Sequence, residues 1–140
     1  MSGPAIIRHL IAHDAAMLTL LSQMESSAAN VIVGKKKAGA ALPVIAIRLV
    51  SGTELNTLAM NEGKRLRTQR VQVMVHGKTA RQVLQLLEAV LVACPNTRGT
   101  LNGIKVDSIL PDGEGPDFSD PDAEVFEQSR DFIVRWNATA

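Results

Sequence analysis

From Leu66 to His76 the sequence carries a period of two: Val71, Val73 and Val75 fall on one side of an extended chain, and Arg70, Gln72, Met74 and His76 on the other. Successive side chains of a strand point to opposite faces, so this stretch commits the chain to a sheet with one covered face. The same period recurs in Val44 to Val50, where Ile45, Ile47 and Leu49 share a face and Arg48 lies opposite. It returns in Val125 to Trp136, with Phe132, Val134 and Trp136 on one side. A cover for that face is at hand in Thr79 to Ala93. There Ala80, Val83, Leu84, Leu87, Val90, Leu91 and Cys94 recur at helical spacing, opposite Arg81, Gln82, Gln85 and Glu88.

The remaining segments fit around this pair of layers. Residues 4–23 read as helical through Ile6, Ile7, Leu10, Ile11, Leu18 and Leu21, with Asp14 placed to cap a second short helix from Ala15. Ala15 to Gln23 holds no Arg or Lys to reach a base edge, so the helix pair does not look like a DNA reader. Residues 29–34 make a short strand, followed by a basic loop, and Ser51 to Lys64 reads as a polar connection. Pro95-Asn96 ends the main helix, because proline disfavours helical backbone in the residue before it. Leu101-Asn102-Gly103-Ile104 reads as a turn into a strand ending at Leu110, and the proline-rich, acidic stretch from Pro111 to Asp122 as a loop. The expected fold is α+β: an antiparallel sheet of about four or five strands with helices packed on one face.

At 140 residues the chain suits one domain, 1–140, and no apolar run approaches the roughly 20 residues that span a bilayer. Met1 to Arg8 lacks the basic start, apolar stretch and cleavage site of a secretory signal, so the cytoplasm in which the chain is made is its expected location. The single cysteine, Cys94, forms no internal disulfide and no cysteine zinc site, and its place on the apolar stripe suits a small hydrophobe. Phe118, Phe126, Phe132 and Trp136 are the aromatic residues, too few for a platform that stacks unpaired bases.

Charge is distributed more tellingly than its total of +1 implies. Residues 1–105 hold 13 Lys/Arg against 5 Asp/Glu, or +8, and residues 106–140 hold 2 against 9, or −7. Lys35, Lys36 and Lys37 form one basic cluster, and Lys64, Arg65, Arg67 and Arg70 another. The acidic group is Asp112, Glu114, Asp117, Asp120, Asp122, Glu124 and Glu127. Such runs serve either as solvated loops or as a head-to-tail contact between copies, the kind of contact that closes into rings when the rotation allows.

Constellations that would carry chemistry are missing from the sequence. His9 and His13 stand at i, i+4, but no HExxH glutamate follows His9, and two ligands do not make a metal site. His76 has no carboxylate or nucleophile beside it in sequence. Asp120, Asp122, Glu124 and Glu127 lack the central glycine of a calcium loop, and Pro121 interrupts them. There is no glycine-rich phosphate loop and no nucleophile elbow. The expectation is a protein without enzymatic activity and without a cofactor or metal. Its acidic end would repel nucleic acid as its basic end attracted it, so it is expected to be a neighbour of DNA rather than a reader.

The ordered set of features resembles the tail completion, or tail terminator, family of long-tailed bacteriophages and related prophages. The resemblance rests on a helical segment ending near Leu21, then Val31-Ile32-Val33-Gly34 and Leu42-Pro43-Val44-Ile45-Ala46-Ile47. It continues through Arg70 to Val75, the helix Ala80 to Ala93, Arg98 to Val106, an acidic turn and Ser129 to Val134. It covers nearly the whole chain, with valine and isoleucine where the family often carries a tyrosine before the Leu-Pro step. It implies a subunit that forms a ring, commonly a hexamer, on the head-proximal end of the tail tube. Such a ring would stop tube growth and offer a docking face to head completion or connector proteins, with DNA passing through unread and no membrane involved. On this reading Lys35, Lys36, Lys37, Arg65, Arg67, Asp117, Asp120 and Asp122 take part in subunit or tube contacts. The alternatives are a small cytoplasmic binding module, or another head–tail connector or tail tube subunit.

Overall fold

The computed structural model describes residues 2–55, 64–115 and 126–139. Two helices open the chain, α1 (Gly3–Ala12) and α2 (Ala15–Gln23), and a single turn of 3-10 helix, Ala28–Asn30, leads into β1 (Val31–Val33). Then follow β2 (Val44–Leu55), β3 (Lys64–Gly77), α3 (Ala80–Ala93), β4 (Gly99–Leu101), β5 (Ile104–Glu114) and β6 (Phe126–Thr139).

Local chemistry accounts for the helix starts. Ser2 Oγ accepts from the amide of Ala5, Asp14 Oδ2 from that of Met17 at 2.9 Å, and Thr79 Oγ1 from that of Gln82 at 3.1 Å. Each satisfies an orphan donor of a first turn. Gln82 reciprocates by accepting from the Lys78 amide at 2.8 Å, which closes the start of α3 against the end of β3.

The strands form one sheet in the order β1-β2-β3-β6-β5-β4. Among the described residues it has six strands and is mixed, where four or five antiparallel strands were expected. The mixture comes from β1, which pairs parallel with β2, Val31 opposite Ile45 and Val33 opposite Ile47. After β1 the basic loop 34–43 carries the chain back to the level from which β1 began, so both strands run the same way. The sixth strand is β4, one arm of a hairpin whose turn residues Asn102 and Gly103 both have positive φ, +51° and +82°. Positive φ at both central positions suits the right-handed twist of a two-residue hairpin, and it turns a predicted simple turn into a strand pair.

Two predicted loops are partly strand. Ser51 to Leu55 continues β2 against Thr68 and its neighbours on β3, past a bulge at Val50. Pro111 to Glu114 continues β5 along β6, with an irregularity between Pro111 and Glu114 and φ of +91° at Gly113. The reason is pairing: Asp112 meets Arg70 and Glu114 meets Arg130, so these carboxylates sit in the sheet instead of leaving it.

The core lies between the helices and the face carrying Val71, Val73 and Val75, joined by Ile45, Ile47, Val106, Ile109, Phe132, Val134 and Trp136. From α1 and α2 it takes Ile6, Ile7, Ile11, Met17 and Leu21. The face α3 buries is Val83, Leu86, Leu87, Val90 and Ala93, rotated from the predicted stripe, so that Leu84 is 55% exposed and Leu86 fully buried. Among the described residues no single helix is long and apolar enough to cross a membrane.

Candidate functional site

Opposite the valines, β2, β3 and β6 set polar side chains in rows. Antiparallel register places His76 between Val44 and Glu127, Gln72 between Arg48 and Asp131, and Arg70 between Ser51 and Ile133. Arg48 Nε donates to Gln72 Oε1 at 2.8 Å, and Arg70 Nε to Asp131 Oδ2 at 2.9 Å. Arg70 also forms an ion pair with Asp112 of β5, so one guanidinium ties β3 to β6 and β5. The hydrogen bond it donates to Asp131, helped by the charge of Asp112, holds the pKa of that guanidinium above its ordinary value.

The loop after β1 folds over one end of these rows and leaves a hollow of about 320 Å³. Lys35, Lys36, Arg48, Met74, His76 and Glu127 line it. His76 Nδ1 is buried 3.4 Å from Glu127 Oε1, without the alignment of a hydrogen bond, a contact that is an ion pair only when the imidazole is protonated. Burial pushes the imidazole pKa down, Lys36 and Arg48 push it further the same way, and Glu127 opposes them.

A pH dependence follows. The folded chain takes up this proton less readily than the unfolded chain, whose value is 6.5. The stabilisation is therefore complete above the unfolded value and is lost as the pH falls through the lower folded one. Denaturant unfolding followed from about pH 7.5 to about 5 should show declining stability toward acid, and His76→Gln should make the decline shallower. An unchanged slope in the variant would remove His76 as its source.

The predicted contact residues do not converge. Lys35 and Lys37 are exposed in the loop after β1, and Lys36 Nζ donates to the Lys37 carbonyl at 3.3 Å. Arg67 is half-buried on β3, level with Glu54 and Trp136, on the face of the valines and near the end of the sheet remote from the lysines. The backbone of Arg65 pairs with Ala138, and its side chain lies outside what the structure describes, as do Asp117, Asp120 and Asp122 altogether. Glu127, grouped with them in sequence, belongs to β6 and faces His76.

His76, which has no carboxylate beside it in sequence, gains one in the fold. The two residues are far apart in sequence and meet only through the β3–β6 register. Arg48, Arg70 and Asp131 were likewise absent from the predicted contacts, although their positions on the polar side of alternating strands were the available signal.

Elsewhere, the His9 and His13 rings stack at 4.2 Å, and His13 Nδ1 donates to the His9 carbonyl at 2.8 Å. Among the described residues no group of three or more His, Cys, Asp or Glu stands where it could hold a metal ion. Burial pushes the Cys94 thiol up to about 12, which keeps it protonated and unreactive. On the helix-facing side, Arg130 pairs with Glu114 and approaches Glu88 of α3 at 3.9 Å, fastening the helix to both neighbouring strands.

No protein-family model matches the sequence. None of the curated proteins matches it either. Among solved structures the chain is similar to one from "Virion of native gene transfer agent (GTA) particle", with a TM-score of 0.64 at 11% identity. The match covers 99% of this chain and 100% of that one. The likeness is one of fold from end to end.

Proposed function

We propose that this chain is a structural virion protein of a tailed phage or phage-like particle. Its copies close into a homo-oligomeric ring, hexameric, on the head-proximal end of the tail tube. The ring ends tube growth and offers its free face to the head completion or connector protein, and DNA passes through without being read. The role is mechanical, and no enzymatic step belongs to it. The observation that carries this reading is the full-length likeness in fold to a chain of a gene transfer agent virion. The order of sequence features, which resembles that of tail terminators, supports it.

The test is electron microscopy of purified cognate tail tubes assembled with and without the protein. Tubes of one length bearing a terminal ring are the expected result. Tubes left unaltered, with none of the protein at an end, would refute termination. Long tubes built from this chain alone would identify it as the tube subunit instead.

The charged loops add a second arm to that test. Lys35, Lys36, Lys37, Arg65 and Arg67 are proposed to meet Asp117, Asp120 and Asp122 of a neighbouring copy or acidic groups of the tube. Reversing the three aspartates to lysine should weaken assembly and leave the monomer folded. Assembly that is the same at low and high salt would refute the electrostatic part.

A further inference from the structure

Both borders of the sheet are stepped. On one border β1 pairs only with Ile45 to Ile47 of β2, and beyond it Arg48 to Thr53 lie exposed. On the other, β4 pairs only with Ile104 to Val106 of β5, and Leu110 to Glu114 lie exposed. The steps stand at opposite ends. Followed across the rows, β1 is level with Val73 to Val75 of β3, whereas Gly99 of β4 is level with Arg67. One border therefore projects where the other recedes.

The strand directions agree with this fit. β2 and β6 run one way and β3 and β5 the other, while β1 and β4 both run with β2. Two copies set side by side, helices on the same side, would bring β1 of one and β4 of the next end to end. That shared column would lie between β2 of the first copy and β5 of the second, with every new pair in an allowed direction.

The chemistry of the borders points to the same occupant. Exposed edges are ordinarily blunted with proline, lysine or short strands, because their free N–H and C=O groups template further pairing. β5 has Pro111 for this, but Arg48 to Thr53 contain neither proline nor lysine. Val33, Leu49, Val50 and Leu110, exposed by 52%, 49%, 51% and 40%, all lie along the two borders. In the paired arrangement exposed Lys35, two residues past β1, stands near the level of the neighbour's Asp112, a half-exposed carboxylate that also holds Arg70 of its own copy.

We infer that copies of this chain join by continuing the sheet from one to the next, the β1/β2 border of each receiving the β5/β4 border of its neighbour. The inference deepens the ring reading and rests on it. The contact is heterologous, so it leaves one free border at each end of a row until the row closes.

Cross-linking tests it. Ser51 and Leu110 lie in one row on the polar face, through Arg70 and Ile133, and would stand two strand spacings apart across the junction, about 10 Å. The doubly substituted chain S51C/L110C, assembled on cognate tubes and treated with a bismaleimide of about that reach, should convert monomer into a ladder that stops at the closed ring. Cys94 is buried and stays silent. Neither single variant should give a ladder, and dimers from S51C alone would overturn the inference by showing like borders meeting. A terminal ring visible by microscopy without a ladder would overturn it and leave the ring reading intact. No ring at all, from the unsubstituted chain, would overturn both. As a check free of substitutions, the amides of Arg48 to Thr53 should exchange more slowly in the ring than in the monomer, and equal exchange would count against the junction.

Discussion

Trp136→Ala should lower the unfolding free energy by about 3–5 kcal/mol, the largest loss expected from one truncation in this chain. Trp136 is fully buried and the bulkiest of the buried side chains, standing on β6 between Arg67 of β3 and Val106 of β5. Its removal empties the core where three strands meet, and strands cannot collapse inward without breaking their ladders. For a domain of this size the loss corresponds to a fall in melting temperature of roughly 10–15 °C. The indole Nε1 is buried and has no hydrogen-bond partner among the described residues. Trp136→Phe should therefore recover most of the stability, since no bond is given up. Thermal unfolding followed by far-UV circular dichroism would decide it, and a shift of only a few degrees for the alanine variant would mean that the site refills.

The second large effect concerns assembly and spares the fold. Leu49 and Val50 are half-exposed on the open stretch of β2, so L49K and V50K remove little from the monomer, within about 0.5 kcal/mol. At a junction with a neighbour the same lysines would have to be buried without partners, at a cost of several kcal/mol. The double variant should melt like the unsubstituted protein and associate at least about 100-fold more weakly. Light scattering or native mass spectrometry of the assembled particles would measure this. Undiminished rings would show that the open edge of β2 faces solvent in the assembly.

Much of the architecture was written in local pattern. The alternation at Val71, Val73 and Val75, the Asp14 cap and the helical spacing of apolar residues from Ala80 to Cys94 lead directly to β3, α2 and α3, because each depends on residues a few positions apart. What was not legible depends on distant partners. The rotation of α3 is one case: Leu84, Leu86, Leu87, Leu91 and Val92 make the helix apolar over most of its circumference, so spacing alone does not choose which stripe meets the sheet. The extension of β2 through Ser51 to Leu55 is another, since those residues read as polar connection until β3 lies beside them. The parallel course of β1 is set by where loop 34–43 returns. His76 with Glu127, and Arg70 with Asp112 and Asp131, exist only once the β3–β6 register is fixed.

That register also governs the order of events in folding. β6 lies in the interior of the sheet, between β3 and β5, and Arg70 finds Asp131 across 61 positions of chain. Contacts that bridge so much sequence demand loop closure before they return any stabilisation, which puts such topologies among the slow folders. During synthesis, β2 and β3 can pair as soon as both are made, but the β3 edge that β6 will occupy stays bare until residues 126–139 arrive. For that interval the nascent chain has its three helices to cover the valines of β3 but displays an open strand edge, the kind of surface that crowded unfinished chains use to aggregate. The yield of this protein in a cell should therefore be more sensitive to the rate at which its last strand is delivered than to the stability of the finished fold.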